Sequence, residues 1–141
     1  MDTQEQQLPD KPRPEPTHEN QAYWDGLKAH RLLVQQCSNC RQLRHYPRPM
    51  CDHCYSMMYD WSELSGRGTV HSWTISHHPF HPGFKREVPY ITVTVDLAEG
   101  LRLQAPLIGA VDSELKLGVA VEIDFVDVDA TLTQPCFRVS E

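Results

Sequence analysis

Four of the five cysteines in this sequence fall in two Cys-x-x-Cys pairs, Cys37-Ser38-Asn39-Cys40 and Cys51-Asp52-His53-Cys54, separated by ten residues. Two such knuckles at this separation match a structural zinc site built from four thiolates. A two-residue gap lets the backbone turn around a metal and aim both sulfurs inward. A second turn of the same kind completes a tetrahedron and leaves no position for water or substrate. Three other chemistries use the same residues. Stable disulfides are disfavoured in a cytosolic protein, and a single pair is redox-active more often than a double one. Iron in a rubredoxin-like site is the competing metal, because thiolates bind both ions.

The remaining reactive side chains form no catalytic set. Cys136 stands alone and reads as a buried strand thiol rather than a nucleophile. His77, His78 and His81 lie close together, but prolines and a glycine interleave them and no carboxylate comes before Glu87. They read as a surface loop. The sequence lacks the His-x-Glu and Pro-Cys-x-x-Cys pattern of nucleobase deaminases, the Gly-x-Ser-x-Gly elbow, a P-loop and Gly-x-Gly-x-x-Gly. Gly66-Arg67-Gly68 is too short to cradle a phosphate alone. The expectation is a chain without catalytic residues of its own.

The elements that must position the cysteines are short. Residues 1–16 carry Pro9 and the run Pro12-Arg13-Pro14-Glu15-Pro16, with little apolar content, and are expected to form a flexible tail. A helix is predicted within 17–31, capped by Thr17, with Tyr23, Trp24 and Leu27 on one face. Strand signals follow. They are Leu32-Leu33-Val34 before the first knuckle, Tyr59-Asp60-Trp61 after the second, and an alternation placing His71, Trp73 and Ile75 together. Ile91, Val93, Val95 and Leu97 alternate with polar residues. A turn at Ala98-Glu99-Gly100, a return strand to Leu107, and strands at Val119–Phe125 and Cys136–Val139 complete the pattern. Short strands in this number suggest a small barrel.

Charge divides the chain. Residues 27–67 hold Lys28, Arg31, Arg41, Arg44, Arg48 and Arg67 against Asp52, Asp60 and Glu63, whereas residues 90–141 hold nine acids and three bases within an overall net charge of -6. A nucleic-acid-binding zinc-ribbon and barrel module is the alternative reading. It needs a basic groove with stacking aromatics, and the acidic half opposes a polyanion. No apolar run is long enough to span a membrane, and the first residues lack the basic-then-apolar order of a signal peptide. A cytoplasmic protein is expected.

The ordered motifs carry a resemblance. Tyr23-Trp24-Asp25-Gly26-Leu27, the two knuckles around Pro47-Arg48, Trp61, Ser65-Gly66-Arg67-Gly68-Thr69-Val70, Pro89-Tyr90, Leu97-Ala98-Glu99-Gly100-Leu101 and Leu117-Gly118-Val119-Ala120-Val121-Glu122 follow one another from His18 onward. Together they resemble the zinc-ribbon/OB-fold proteins, long labelled a domain of unknown function, that accompany acyl-CoA enzymes. The resemblance implies a mainly β chain: an N-terminal helix (17–31), a rubredoxin-like zinc ribbon (32–62) and a C-terminal OB-fold barrel (63–141). It implies Zn(2+) on Cys37, Cys40, Cys51 and Cys54. It also implies a hetero-oligomer with a thiolase, thiolase-like aldolase or hydratase that carries the catalysis, while this subunit stabilises the assembly and assists acyl-CoA binding. No family-wide CoA motif falls on the sequence. Arg67, Phe80, Phe84 and Tyr90 are candidate CoA contacts, taken from the glycine turn and the long loop. Tyr23, Trp24 and Leu27, with Trp61, Phe80 and Phe84 as further apolar surface, are the candidate partner interface.

Overall fold

The computed structural model describes residues 10–140. One α-helix, α1 (Gln21–Lys28), precedes eight strands: β1 (Leu32–Cys37), β2 (Leu43–Arg44), β3 (Tyr59–Leu64), β4 (Arg67–Ser76), β5 (Tyr90–Leu97), β6 (Arg102–Leu107), β7 (Ala120–Asp129) and β8 (Leu132–Val139). The first three form an antiparallel sheet in the order β2-β1-β3, and the other five close a barrel in the order β4-β5-β6-β8-β7. The fold is mainly β, with a short helix, a ribbon and an OB-type barrel. Of the expected tail, residues 1–9 lie outside the described residues. Residues 10–16 run along the barrel, where Lys11 pairs with Glu87 at 2.9 Å and Arg13 with Asp129 at 2.9 Å.

The N-cap of α1 lies three residues after the expected Thr17. Asn20 occupies the N-cap, and its side-chain oxygen accepts from the Thr17 backbone N–H at 2.6 Å instead of capping the helix. The helix ends in a left-handed residue, His30 (φ 57), with Arg31 N–H bonded to Gly26 O and His30 N–H to Leu27 O. That double bond pattern closes a helix most often around glycine. Here the imidazole recovers part of the strain, stacking on Phe125 at 5.0 Å and bonding Asp127 at 3.0 Å. The helix end is thereby fixed to β7.

The barrel interior follows period-two alternation on β5 and β6, where Val93, Val95, Leu97, Leu103, Ala105 and Leu107 are buried. β4 departs from it. A bulge between Val70 and Ser72 shifts the phase, so Val70 faces Val95, Trp73 faces Val93 and Ile75 faces Ile91. His71, expected beside Trp73 and Ile75, turns outward to Asp96 at 3.1 Å.

Closure depends on two glycines. Gly66 has φ +76, and a Cβ there would sit 2.1 Å from the Ile123 side chain. A Cβ on Gly68 would lie 2.4 Å from the Asp96 carbonyl oxygen. The segment is thus a seam, with Ile123 N–H donating to Gly66 O and Ala98 N–H to Arg67 O. Glu99 accepts from the Ser65 backbone N–H at 2.9 Å, which brings two of the sequence motifs together. A third motif joins through paired bonds between Val70 and the Gly118–Val119 turn.

His45 packs between Tyr23 (5.1 Å) and Tyr46 (4.2 Å), and neither of its buried ring nitrogens has a hydrogen-bond partner. Burial pushes its pKa down to about 4.

Two outcomes are expected. Gly68→Val should lower stability by about 1–3 kcal/mol through overpacking against backbone. Thermal unfolding followed by circular dichroism checks it, and an unchanged midpoint contradicts the seam. Because the folded pKa of His45 lies below its unfolded value of 6.5, its contribution is complete above pH 6.5 and lost as pH falls through about 4. Urea unfolding should show His45→Phe losing less stability than wild type between pH 7 and pH 5, by on the order of 2 kcal/mol. Parallel pH profiles for the two proteins would contradict it.

Candidate metal centre

The two knuckles are built alike. β1 delivers Cys37 at its last position, where its N–H bonds Gln42 O at 2.9 Å and its carbonyl accepts from Arg41 N–H at 3.0 Å. In the second, Cys51 N–H bonds Ser56 O at 2.9 Å and its carbonyl accepts from Tyr55 N–H at 3.0 Å. The residue four places after each leading cysteine is left-handed: Arg41 at φ 66 and Tyr55 at φ 64. Backbone N–H groups point at the sulfurs, from Cys40 to Cys37 Sγ at 3.5 Å and from His53 to Cys51 Sγ at 3.4 Å.

The four sulfurs lie within 4.8 Å of one another. Cys37 and Cys54 Sγ are 3.5 Å apart, and Cys40 and Cys51 Sγ are 3.6 Å apart. A tetrahedral zinc with bonds of about 2.3 Å requires sulfur edges of about 3.8 Å. The donor set therefore fits one such ion, and a four-thiolate shell is closed to substrate. The N–H of Cys40 draws the Cys37 thiol down to about 6. Cys54 is lowered by the Asn39 side chain and then by the Ser56 backbone. Cys40, although it accepts from the Gln42 backbone, is pushed up to about 12 by burial and by its thiol neighbours. Thiols this close cannot all ionise alone, and a divalent cation supplies the missing charge.

A polar node supports the loop between the knuckles, and the sequence analysis missed it. Fully buried Gln35 accepts from Arg44 Nε at 2.6 Å and from the Arg48 backbone N–H at 2.8 Å. Arg44 also donates to Arg48 O at 2.8 Å, and its guanidinium lies 5.1 Å from the Tyr59 ring centre. The motif Pro47-Arg48 was the one visible sign of it.

The other candidate residues are dispersed. Tyr23 and Leu27 are 6% and 0% exposed, inside the chain's own core. The α1 face expected to meet a partner is thus turned inward, and of those three residues only Trp24 keeps surface. Trp24 lines a cavity of about 220 Å³ with Arg13, Lys28 and Thr131. Trp61 is half-buried on β3, its ring 6.0 Å from that of Tyr59. Arg67 opens β4 and is exposed, while Phe80, Phe84 and Tyr90 follow the far end of that ten-residue strand. The structure does not bring Arg67 to the aromatic residues. Phe84 and Tyr90 do pack together, at 5.5 Å, and Phe80 is 85% exposed. Cys136 is buried, its pKa raised mainly by desolvation.

Two family descriptions match the chain: the rubredoxin-like zinc ribbon domain of ChsH2 over residues 24–56 and its C-terminal OB-fold domain over residues 61–126. A solved chain of the "Ltp2-ChsH2(DUF35) aldolase" is 38% identical and superposes with a TM-score of 0.82, covering 90% of this chain and 98% of that one. A "DUF35 domain-containing scaffold protein" of Pyrococcus furiosus is 35% identical over 72% of this chain and 74% of its own length. The "Probable enoyl-CoA hydratase alpha subunit" of Thermomonospora curvata is 40% identical over 91% of this chain. The chain spans only 40% of the length of that hydratase subunit. Fold and site together define a zinc-ribbon/OB-fold protein. The chain belongs to the DUF35 family of ChsH2 type, and its rubredoxin-like zinc ribbon positions four cysteines to bind one metal ion.

One zinc per chain is the expected result of elemental analysis. Cys40→Ser should release it and cost about 3 kcal/mol or more, since metal binding and ribbon folding are coupled. Metal-free protein, or a Cys37–Cys40 disulfide under reducing conditions, would refute the site, and a red, iron-containing preparation would change the metal.

Proposed function

We propose that this chain is a non-catalytic subunit or domain of an acyl-CoA-processing complex, stabilising a thiolase-like enzyme and assisting acyl-CoA binding. The observation that carries this reading is the superposition of 90% of the chain on the DUF35 chain of an aldolase complex. The name scaffold, given to a shorter relative, points the same way. The site chemistry agrees, because a closed thiolate shell activates neither water nor carbonyl. Among the described residues no helix is long and apolar enough to cross a membrane, and free thiols in a zinc site suit a reducing cytoplasm.

Acyl-CoA contact is assigned to the barrel end where Phe84 and Tyr90 pack. Beside them an open groove of about 520 Å³ is lined by Ile75, Pro89, Ile91 and Val111. Arg67 lies at the other end of β4 and is left as a separate candidate contact. The exposed edge of Trp24 is what α1 leaves for a partner. Nucleic acid is not the proposed ligand, since the barrel half carries the excess of acids.

The test is reconstitution with Ltp2. The mixed proteins should co-elute in size-exclusion chromatography, and this chain alone should not turn over acyl-CoA thioesters. Phe84→Ala should raise the KM of the complex for acyl-CoA several-fold without loss of zinc. Failure to co-elute, or turnover by the isolated chain that Cys136→Ala abolishes, would sink the reading.

A further inference from the structure

Five of the ten exposed large apolar side chains among the described residues, Tyr46, Met50, Tyr55, Met57 and Met58, fall within thirteen residues of the ribbon. Met50, Tyr55, Met57 and Met58 flank the second knuckle and are between 45% and 70% exposed, with Tyr46 nearby in sequence at 53%. Backbone hydrogen bonds tie together the segments that carry them. The Cys51–Ser56 hydrogen bond sets Met50 and Met57 on either side of a single link, and Ser38 N–H donates to Met58 O, tying the far end to the first knuckle. None of these side chains is needed to enclose the ligands, because a four-thiolate site is held by its metal rather than by an apolar core. Tyr55 is a bulky residue in a left-handed conformation, where glycine or asparagine costs least. Folding alone gives no reason for a tyrosine there.

From this surplus we infer that the second knuckle is the face on which the chain docks its enzyme partner, a protein surface apolar at its centre and rimmed by carboxylates. The inference rests on the proposed function and deepens it. Charge supports the choice of occupant. Arg41 and Arg48 are exposed on the same ribbon, and neither guanidinium is paired with a carboxylate of the described residues. Asp52, the acid inside the knuckle, accepts from Gln42 at 3.1 Å. Methionines suit a surface that must adapt to a large partner, and tyrosine is a common binding hot spot. Two arginines with Asp52 and Asp60 close in sequence make too few phosphate contacts for nucleic acid.

The test uses the 141-residue chain and Ltp2, with affinity measured by calorimetry and zinc by elemental analysis. Tyr55→Asn should weaken binding at least about tenfold while zinc content is kept and thermal stability is kept or raised, because asparagine relieves the left-handed strain. A purely structural tyrosine would not separate the two readouts. Met57→Ser with Met58→Ser should weaken binding similarly, and Arg48→Glu should slow association and reduce its salt dependence. Leu117→Ser, which alters an equally exposed apolar residue on the barrel, is the control and should change affinity less than about twofold. If wild type binds Ltp2 and the ribbon variants bind as well as it does, the face is wrong and the functional reading survives. If wild type does not bind Ltp2, that reading falls and the docking face with it. Ribbon-dependent self-association, or binding of a single-stranded oligonucleotide that Tyr55→Asn abolishes, would replace the assigned occupant.

Discussion

Four sulfurs within 4.8 Å of one another are the constraint on which the rest of the ribbon depends. As thiolates they repel one another, and a cation at their centre would offset that repulsion. Everything near it serves that geometry. Each knuckle ends in a left-handed residue, backbone N–H groups face the sulfurs, and Gln35 holds the connecting loop through Arg44 and the Arg48 backbone. β1 still buries Leu32 and Val34 in the core, but a second knuckle held by four sulfurs around one ion leaves its own side chains free to face outward. That freedom explains why methionines and tyrosines stand on the surface of the second knuckle.

The barrel is governed by a different constraint, the closure of a small sheet upon itself. Gly66 and Gly68 let β4 come close to Ile123 and to the Asp96 carbonyl, and Glu99 secures Ser65 beside them. Motifs that look like a phosphate-binding turn in isolation are therefore parts of one seam. Their sequence order reflects three chain segments meeting at a single place.

The two lobes are joined through α1. Tyr23 and Leu27 are inside the shared core, and His30 links the helix end to Phe125 and Asp127 on β7. A helix used in this way leaves only the edge of Trp24 at the surface. The barrel half carries the excess of acids, whereas the ribbon carries Arg41 and Arg48 beside its exposed methionines and tyrosines.

The sequence by itself determined the four-cysteine cluster, the class of fold and the buried face of β5. Ligand spacing and period-two alternation are local, and a few residues of backbone geometry fix what each can do. Tertiary structure alone decided which way the Tyr23–Leu27 face turned, because burial against this chain or another depends on surfaces far away in sequence. It also decided the β4 bulge, which moved His71 out of phase with Trp73 through the pairing demands of β5. Gln35 and Arg44 looked like ordinary polar residues among strand residues, and only their meeting across β1 and β2 made them a support for the zinc loop. The exposed second knuckle was likewise invisible. Nothing local in the sequence says which way Met50, Tyr55, Met57 and Met58 face, and only the structure shows them exposed around the cysteines.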